Sequence, residues 1–254
     1  MDKPKKILIS IPIAPYTRIE PELFMWVLKN VTHYNFIEPG KYILNIDIVD
    51  GKPIDSVRNK CMHRFLDSDN DYVMPIDSDI VPPQNCIDSL VSHDKDIVGA
   101  TCFSFQYGYP FAVILDKVGG GYANVDWQKN KDIRLQECSA TGASCLLIKR
   151  EVIVKMKEHL LKKTGRTMFY ESKYNERGEI SCGQDFTWCD NAIDIGYKIF
   201  VDKNVHCDHK VDRMSLKRVN DILVEEQNKR NNGNLKIVTD IDHQKKLDEI
   251  IERV

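Results

Sequence analysis

Short apolar runs alternate with segments of helical periodicity over the first hundred residues of the chain. The apolar runs, several of them rich in β-branched residues, are 7–11, 42–49, 71–76 and 96–102. Between them, apolar residues recur every three or four positions in 22–30, 53–65 and 84–92. Strands that alternate with amphipathic helices form right-handed βαβ units and a mainly parallel sheet. The alternation therefore predicts an α/β fold with helices packed against a buried sheet.

The rest of the chain predicts further elements of the same domain and a tail of different composition. Residues 145–148 and 197–201 are strand-like, and 150–161 and 186–195 have helical spacing. The aromatic and glycine-rich stretch 103–140 predicts hairpins, and the polar stretch 162–181 predicts a loop that could order on binding. Residues 213–254 are rich in Lys, Glu, Asn and Asp, with apolar residues at helical spacing. We therefore predict one domain at 1–212 and a C-terminal helical appendage at 213–254.

The composition argues against several classes of protein. The formal net charge of −2 over 254 residues does not suit an evenly basic nucleic-acid binder. No apolar run approaches the roughly 18 residues of a membrane span, so no transmembrane segment is expected. The apolar stretch near the basic N-terminus covers only 7–13, which fits a first strand better than a signal peptide.

The eight cysteines form no Cys-x-x-Cys pair, and most lie inside apolar segments, where cysteine behaves as a small hydrophobe. This pattern is typical of a reduced protein, and the expected location is cytoplasmic. The alternative is a zinc site among the late cysteines and histidines, although their spacing fits no standard zinc motif. Its members would be Cys182, Cys189, His206, Cys207 and His209.

The triplet Asp77-Ser78-Asp79 closes the third apolar run. In an extended chain alternate side chains point the same way, so both carboxylates would project to one side, opposite Ser78. Two carboxylates that converge repel each other unless a cation lies between them. Carboxylate oxygens suit Mg²⁺ or Mn²⁺, and these cations usually also contact the phosphates of a substrate. The triplet therefore predicts a divalent metal and a phosphate-bearing substrate. A similar triplet, 67–69, lies just upstream, so the pattern alone is not specific.

Three further segments carry polar residues suited to such a site. Arg58 adjoins the apolar stripe of a predicted helix and could pair with phosphate, although a solvated helix arginine is the simpler interpretation. Asp185 lies in the first turn of a predicted helix, where an acid either complements the helix dipole or serves as a general base. His206 and His209 follow the last strand, where an imidazole is either a ligand of Mn²⁺ or a structural or surface residue.

Taken in order, these segments resemble the GT-A glycosyltransferases, especially their family 2 group. The resemblance spans residues 5–212 and rests on 7–12, 55–59, 71–80, 141–143, 146–151, 183–186, 196–199 and His209. It implies a single GT-A (Rossmann-like) domain with a mainly parallel central sheet, to which the composition adds the C-terminal helical extension. It also implies a nucleotide-sugar donor, with UDP-sugar favoured, and Mn²⁺ or Mg²⁺ as the cofactor.

The resemblance further implies a role for each matching residue. Asp77, Asp79 and His209 would hold the metal, with His209 preferred over His206, and Asp185 would be the general base of an inverting transfer. The residues that would bind the donor nucleotide are Ile11, Pro12, Arg58, Asp77, Ser78 and Gly142. Gln184 stands where a glutamate is common, which leaves open a non-catalytic nucleotide-binding protein on the same fold.

Other questions stay open at this point. A nucleotidyltransferase could use the same acidic pair, but it normally brings a glycine-rich basic loop near the first strand, and 13–18 contains no glycine. A retaining transferase needs no base at Asp185, so the stereochemical outcome is open. The acceptor could be a saccharide, a protein, a lipid or a modified nucleic acid, with 103–125 and 162–181 as its walls.

Overall fold

A seven-stranded mixed sheet with helices on both faces forms the centre of this computed structural model. The structure describes residues 3–14, 17–106, 109–119, 121–125, 132–211 and 214–215. In that part of the chain the α-helices are α1 (Pro21–Thr32), α2 (Ile54–Asp67), α3 (Cys86–Ser92), α4 (Arg150–Thr164) and α5 (Gln184–Asp194), and a π-helical segment, His33–Ile37, continues α1. The strands in chain order are β1 (Lys5–Ile13), β2 (Tyr42–Asp50), β3 (Tyr72–Pro75), β4 (Ile80–Val81), β5 (Ile97–Thr101), β6 (Phe103–Gln106), β7 (Tyr109–Ala112), β8 (Ile114–Val118), β9 (Gly121–Asn124), β10 (Leu135–Cys138), β11 (Ala140–Thr141), β12 (Leu146–Lys149), β13 (Lys173–Tyr174), β14 (Ile180–Cys182), β15 (Ile199–His206), β16 (Asp208–Val211) and β17 (Met214–Ser215).

The central sheet has the strand order β10-β15-β5-β12-β3-β1-β2. β1 runs parallel to β2 and β3, and β15 runs parallel to β5. β12 lies antiparallel between β3 and β5, and β10 is antiparallel at the edge, so the other five strands share one direction. The predicted α/β class and the mainly parallel sheet are confirmed, and the arrangement is consistent with a GT-A-like domain.

Both faces of the sheet are buried. On β1, Leu8 packs into a core shared with α2, α4 and α5, whereas Ile7 and Ile9 pack into a second core shared with α1 and α3. Alternate residues of one strand thus reach two different cores, which explains why its sequence is a continuous apolar run. The two cores pack against both faces of the sheet and so fix the positions of the carboxyl ends of β2 and β3.

Two local predictions need correction. β1 extends past the predicted run 7–11 and through Pro12 to Ile13, because beyond Ser10 it pairs only with β2 and needs no amide donor on its other side. The stretch 162–181 is not a loop throughout, since Phe169 and Tyr170 are fully buried and β13 and β14 form a hairpin. The two aromatic side chains anchor this otherwise polar stretch to the core.

The predicted helical appendage at 213–254 lies outside the described residues apart from 214–215, so the domain boundary at 212 stays a prediction. No helix in the described part of the chain is long and apolar enough to span a membrane. All eight cysteines are described, and all are free thiols. Among the described residues, no three His, Cys, Asp or Glu side chains come together to hold a metal ion, which rules against the alternative of a zinc site.

Asp202 lies fully buried in β15, next to the antiparallel edge strand β10, and binds several polar groups. Its carboxylate accepts hydrogen bonds from His93 Nε2 at 2.7 Å, Arg134 Nη2 at 2.8 Å and the Asn204 N–H at 2.9 Å. Burial acts to raise the pKa of Asp202, but these three bonds outweigh it, and the pKa is lowered. The carboxylate therefore contributes stability above the pKa of the unfolded chain, about 3.9, and loses it as the pH falls through the lower folded value.

Asp202→Ala should lower the free energy of unfolding by about 2 kcal/mol, because hydrogen bonds to a buried carboxylate are lost, although Arg134 itself is half exposed. Urea denaturation at pH 7 measures this loss, which should shrink as the pH falls below about 4. Asp194→Ala is the matched control, since that carboxylate is half exposed in its pair with Lys163 and should cost much less. Equal losses in the two variants would contradict the prediction.

Candidate functional site

The acidic triplet lies in a turn that follows β3. The Ile80 N–H donates a hydrogen bond to the Asp77 carbonyl at 3.0 Å, and the Asp77 N–H donates to the Ser144 carbonyl at 3.0 Å. Ser78 is buried in this turn, and β4 begins directly after it. The chain is therefore not extended across the triplet, and the prediction of a strand conformation there is wrong. The hydrogen bond from Ile80 to Asp77 closes a four-residue turn, so these residues do not form the regular hydrogen bonds of a strand.

Arg58 lies next to this turn, between the carboxylates of Asp77 and Asp185. Its side chain projects from α2, and the residue is only 6% exposed. Nη2 lies 2.7 Å from Asp77 Oδ1 and 2.9 Å from Asp77 Oδ2, and Nε lies 3.9 Å from Asp185 Oδ1. Nη1 faces the Ala143 carbonyl at 3.4 Å. The simpler interpretation of Arg58 as a solvated helix residue is wrong, because the guanidinium is buried and paired.

Asp185 reaches the same point from the first turn of α5, which begins after Gly183. Its side chain keeps 27% of its surface exposed, and its Oδ1 makes no hydrogen bond. Burial raises the pKa of Asp185 above its ordinary value, while the charge of Arg58 and the Ala143 N–H oppose the rise without cancelling it. The pKa of Arg58 is itself raised, since Asp77 and Asp185 outweigh the effect of burial. Asp185 is thus a partly accessible carboxylate with raised basicity.

The ring of Tyr170 packs against the Arg58 guanidinium. The sequence analysis did not predict Tyr170 as a residue of the site. The Arg58 guanidinium lies 5.7 Å from the centre of the Tyr170 ring, a cation–π distance. The same ring is stacked with Trp188 of α5, with centroids 6.0 Å apart and an interplanar angle of 16°. The available signal was an adjacent aromatic pair, Phe169-Tyr170, in the otherwise polar stretch 162–181.

Asp79 and His209 form a second contact at the turn. β16 pairs antiparallel with β4, which sets His209 opposite Ile80, and the Lys210 N–H donates to the Asp79 carbonyl at 2.8 Å. His209 Nε2 lies 3.3 Å from Asp79 Oδ2, and Nδ1 lies 2.7 Å from the Phe103 carbonyl. Burial acts to lower the pKa of His209, but the bonds to Asp79 and the Phe103 carbonyl outweigh it and raise the pKa.

His206, the rival of His209 in the sequence, points elsewhere. Its Nε2 donates to the Lys203 carbonyl, and its ring packs edge-on against Phe103 at 5.9 Å. β15 ends at His206 and β16 begins at Asp208, so the two histidines lie on different strands and make different contacts. The structure brings His209, and not His206, to Asp79.

The contacts of His209 match those of a metal-ligating histidine. A carbonyl oxygen only accepts hydrogen bonds, so Nδ1 carries the proton and Nε2 faces Asp79. A histidine that binds a metal through one ring nitrogen usually donates its other N–H to a carbonyl or carboxylate in this way. The third predicted ligand, Asp77, has its carboxylate on Arg58, and the described residues contain no assembled group of three ligands.

The other residues predicted to bind the donor lie around the same edge of the sheet. The side chains of Ile11 and Pro12 are buried in β1, and Ser78 is buried in the turn. Gly142 lies next to Ala143 in the segment before β12, and a Cβ there would come within 3.3 Å of Ser144 Oγ. Contact between these residues and a nucleotide stays a prediction.

Comparisons with known proteins do not place this chain in a family. No protein-family model matches it, and no curated protein matches it. It is similar to the crystal structure of A197 from STIV, with a TM-score of 0.49 and 15% identity over 82% of this chain and 87% of that chain. It is also similar to the crystal structure of GalNAc-T7 with UDP, GalNAc and Mn²⁺, with a TM-score of 0.45 and 8% identity. That match covers 82% of this chain and 44% of the GalNAc-T7 chain, and at these scores neither structure carries an argument about function.

Arg58→Gln tests the charge balance of the site. The substitution removes the cation beside Asp185 but keeps a polar side chain, so the pKa of Asp185 should rise further above its ordinary value. A ¹³C NMR titration of aspartate carboxyl groups measures this pKa. Lys163→Gln removes a cation paired with Asp194 and should leave the pKa of Asp185 unchanged. An unchanged or lower pKa of Asp185 in Arg58→Gln would contradict the prediction.

Proposed function

We propose that this protein is a metal-dependent glycosyltransferase, which moves a sugar from a nucleoside diphosphate sugar, with UDP-sugar favoured, to an acceptor hydroxyl. The observation that carries the proposal is the position of Arg58, buried between Asp77 and Asp185. This contact gathers an acidic turn, a cation and a second carboxylate at the sheet edge where ligands of open α/β sheets bind. The Asp79–His209 pair adds metal-ligating groups to the same turn.

Asp79 and His209 are the residues that would hold Mn²⁺ or Mg²⁺. Mg²⁺ usually keeps several waters and takes one or two carboxylates plus substrate phosphates, and carboxylate and water also suit Mn²⁺. A small set of protein ligands that includes Asp79 therefore fits either cation. Asp77 as a further ligand stays a prediction, because Arg58 binds its carboxylate in this structure. A bound divalent cation would neutralise the negative charge that develops on the diphosphate leaving group.

Asp185 would accept the proton of the acceptor hydroxyl. Its raised pKa makes it a stronger base than an exposed aspartate, and a general base typically contributes about 10²–10⁴-fold to the rate. A base on the face opposite the leaving group produces inversion at the transferred sugar. Gln184, the neighbour that departs from the family pattern, is a neutral amide and cannot take this proton, so the role falls to Asp185.

Nucleotide binding provides the first test. UDP with Mn²⁺ should raise the melting temperature of the wild-type chain, and EDTA should abolish the rise, because Asp79 and His209 would hold the cation that offsets the charge of the diphosphate. A thermal-shift panel of UDP, GDP, CMP and ADP, each with Mn²⁺, Mg²⁺ or EDTA, measures the effect. Asp79→Ala should lose it.

The matched control is Asp69→Ala, which changes the last acid of the upstream Asp67-Ser68-Asp69 triplet. Asp69 is largely exposed and pairs with Lys6 outside the site, so this variant should keep the nucleotide-dependent shift. No stabilisation by any nucleotide in the wild-type chain would remove the basis for a nucleotide-sugar enzyme. An unchanged shift in Asp79→Ala would exclude Asp79 as a metal ligand.

Asp185→Asn tests the base. The amide keeps the shape of the side chain but cannot take a proton, so nucleotide release from the sugar donor should slow by about 10²–10⁴-fold while the UDP-dependent thermal shift is kept. In the wild-type chain the rate should fall as the pH drops through the raised pKa of Asp185, since only the carboxylate form acts as a base. A variant with the wild-type rate would exclude Asp185 as the base.

A further inference from the structure

A cavity of about 380 Å³ opens directly beside Asp185. Three elements form its walls: the start of α2, the β13–β14 hairpin and the start of α5. The side chains that matter for its chemistry are Ile54, Asp55, Tyr174, Ile180, Asp185 and Phe186. The reactive carboxylate of the proposed function is thus part of the wall of a defined pocket.

The charges of this cavity are all of one sign. Its ionisable carboxyl groups are Asp55 and Asp185, and no Lys, Arg or His is among the described residues that line it. A phosphate or carboxylate bound here would meet like charge at short range, and the nearby Arg58 is already paired with Asp77. The cavity therefore selects against anionic acceptors, which include phosphorylated sugars and the backbone of nucleic acids.

The rest of the lining is apolar and aromatic. Ile54 and Phe186 lie at the starts of the two helices, and Tyr174 and Ile180 stand on the hairpin with 63% and 64% of their surfaces exposed. Tyr122 packs against Phe186, with ring centroids 5.1 Å apart, and supports it. Flat apolar surfaces beside a few polar groups suit a pyranose ring, which has C–H faces for stacking and hydroxyls at its rim for hydrogen bonds.

Helix α2 holds the hairpin wall in place. Three of its residues, spaced by four, contact the segment that leads into β13. The Ser172 N–H donates to Asp55 Oδ2 at 3.0 Å, and His63 Nε2 donates to the Thr167 carbonyl at 3.2 Å. Asn59 makes two bonds to the Tyr170 backbone, at 2.7 Å through Nδ2 and 3.1 Å through Oδ1. These bonds anchor the segment from which the hairpin wall extends.

We propose that this cavity binds a neutral saccharide as the acceptor, an inference that rests on the proposed function for its chemical step. A hydroxyl of the saccharide would lose its proton to Asp185, and its oxygen would form a bond to the anomeric carbon of the donor. The bond from that carbon to the diphosphate breaks, and its electron pair leaves with the nucleoside diphosphate. Tyr174 and Phe186 would stack on the saccharide, and Asp55 would accept a hydrogen bond from one of its other hydroxyls.

Saturation-transfer NMR on the full chain tests this proposal with defined probes. The probes are the methyl glycosides of glucose, galactose, mannose and N-acetylglucosamine, with glucose 6-phosphate as the anionic counterpart, each with and without UDP and Mn²⁺. At least one glycoside should bind, and glucose 6-phosphate should bind more weakly than methyl glucoside. Tyr174→Ala should weaken the glycoside about tenfold, as loss of an aromatic contact does, whereas Tyr174→Phe should not.

Two further variants test whether the glycoside binds in this cavity and whether the charge of the cavity selects it. Phe36→Ala removes an exposed aromatic side chain that lies outside the cavity and should leave glycoside binding unchanged. Ile180→Lys adds a cation at the exposed rim and should increase the affinity for glucose 6-phosphate relative to methyl glucoside. If Ile180→Lys leaves that ratio unchanged, selection by charge is contradicted.

The outcomes distinguish failure of this inference from failure of the proposed function. A chain that binds UDP with Mn²⁺ but none of the glycosides, or prefers glucose 6-phosphate, would overturn the neutral-saccharide acceptor and leave the glycosyltransferase proposal standing. A chain that binds a glycoside through Tyr174 but no nucleotide would keep the saccharide site and overturn the glycosyltransferase proposal.

Discussion

Arg58 is a charged side chain that has been almost completely removed from water, and the rest of the site depends on how its charge is compensated. Leaving a guanidinium buried without a partner is costly, so the fold must hold carboxylate and carbonyl oxygens around it. Asp77 supplies two oxygens from the turn after β3, and the Ala143 carbonyl supplies another from the segment before β12. The ion pair thereby ties α2 to two neighbouring strands at the edge of the sheet where a ligand would bind.

The same charge sets the chemistry of Asp185. Burial alone would favour the protonated form of this carboxyl, and Arg58, 3.9 Å away, opposes it. The result is a carboxyl with a pKa that is raised but still held down by a neighbouring cation. A carboxylate with a raised pKa is a stronger base than an exposed aspartate, which suits the proposed role of Asp185 as a general base.

Helix α2 links the two sides of the site. Arg58 projects toward the acidic turn, where a donor would bind, while Asp55 and Asn59 bond to the backbone of the segment that forms the cavity wall. One rigid element therefore positions both the charge centre and the proposed acceptor wall. The β16–β4 pairing plays a similar part on the other side, since it sets His209 beside Asp79.

The sequence predicted the class of the fold, and it selected several candidate site residues by the chemistry of their side chains. The continuous apolar run of β1 predicted a strand buried on both faces, and the alternation of strands and helices predicted the mainly parallel sheet. Arg58, Asp185 and His209 were selected because their side chains suit phosphate, proton and metal chemistry. The same reasoning failed for the backbone at Asp77-Ser78-Asp79, because period-two alternation applies to an extended chain and a turn forms there.

By itself, then, the sequence determined the α/β architecture, because burial patterns along the chain follow the local periods of strands and helices. Only the tertiary structure decided which polar residues meet. Asp79 and His209 are 130 residues apart in the chain, and their contact depends on the pairing of two short strands. Whether Arg58 is solvated or buried likewise depends on Tyr170, which packs over it from a distant segment. These contacts are set by how whole elements pack, and no local pattern of residues records that packing.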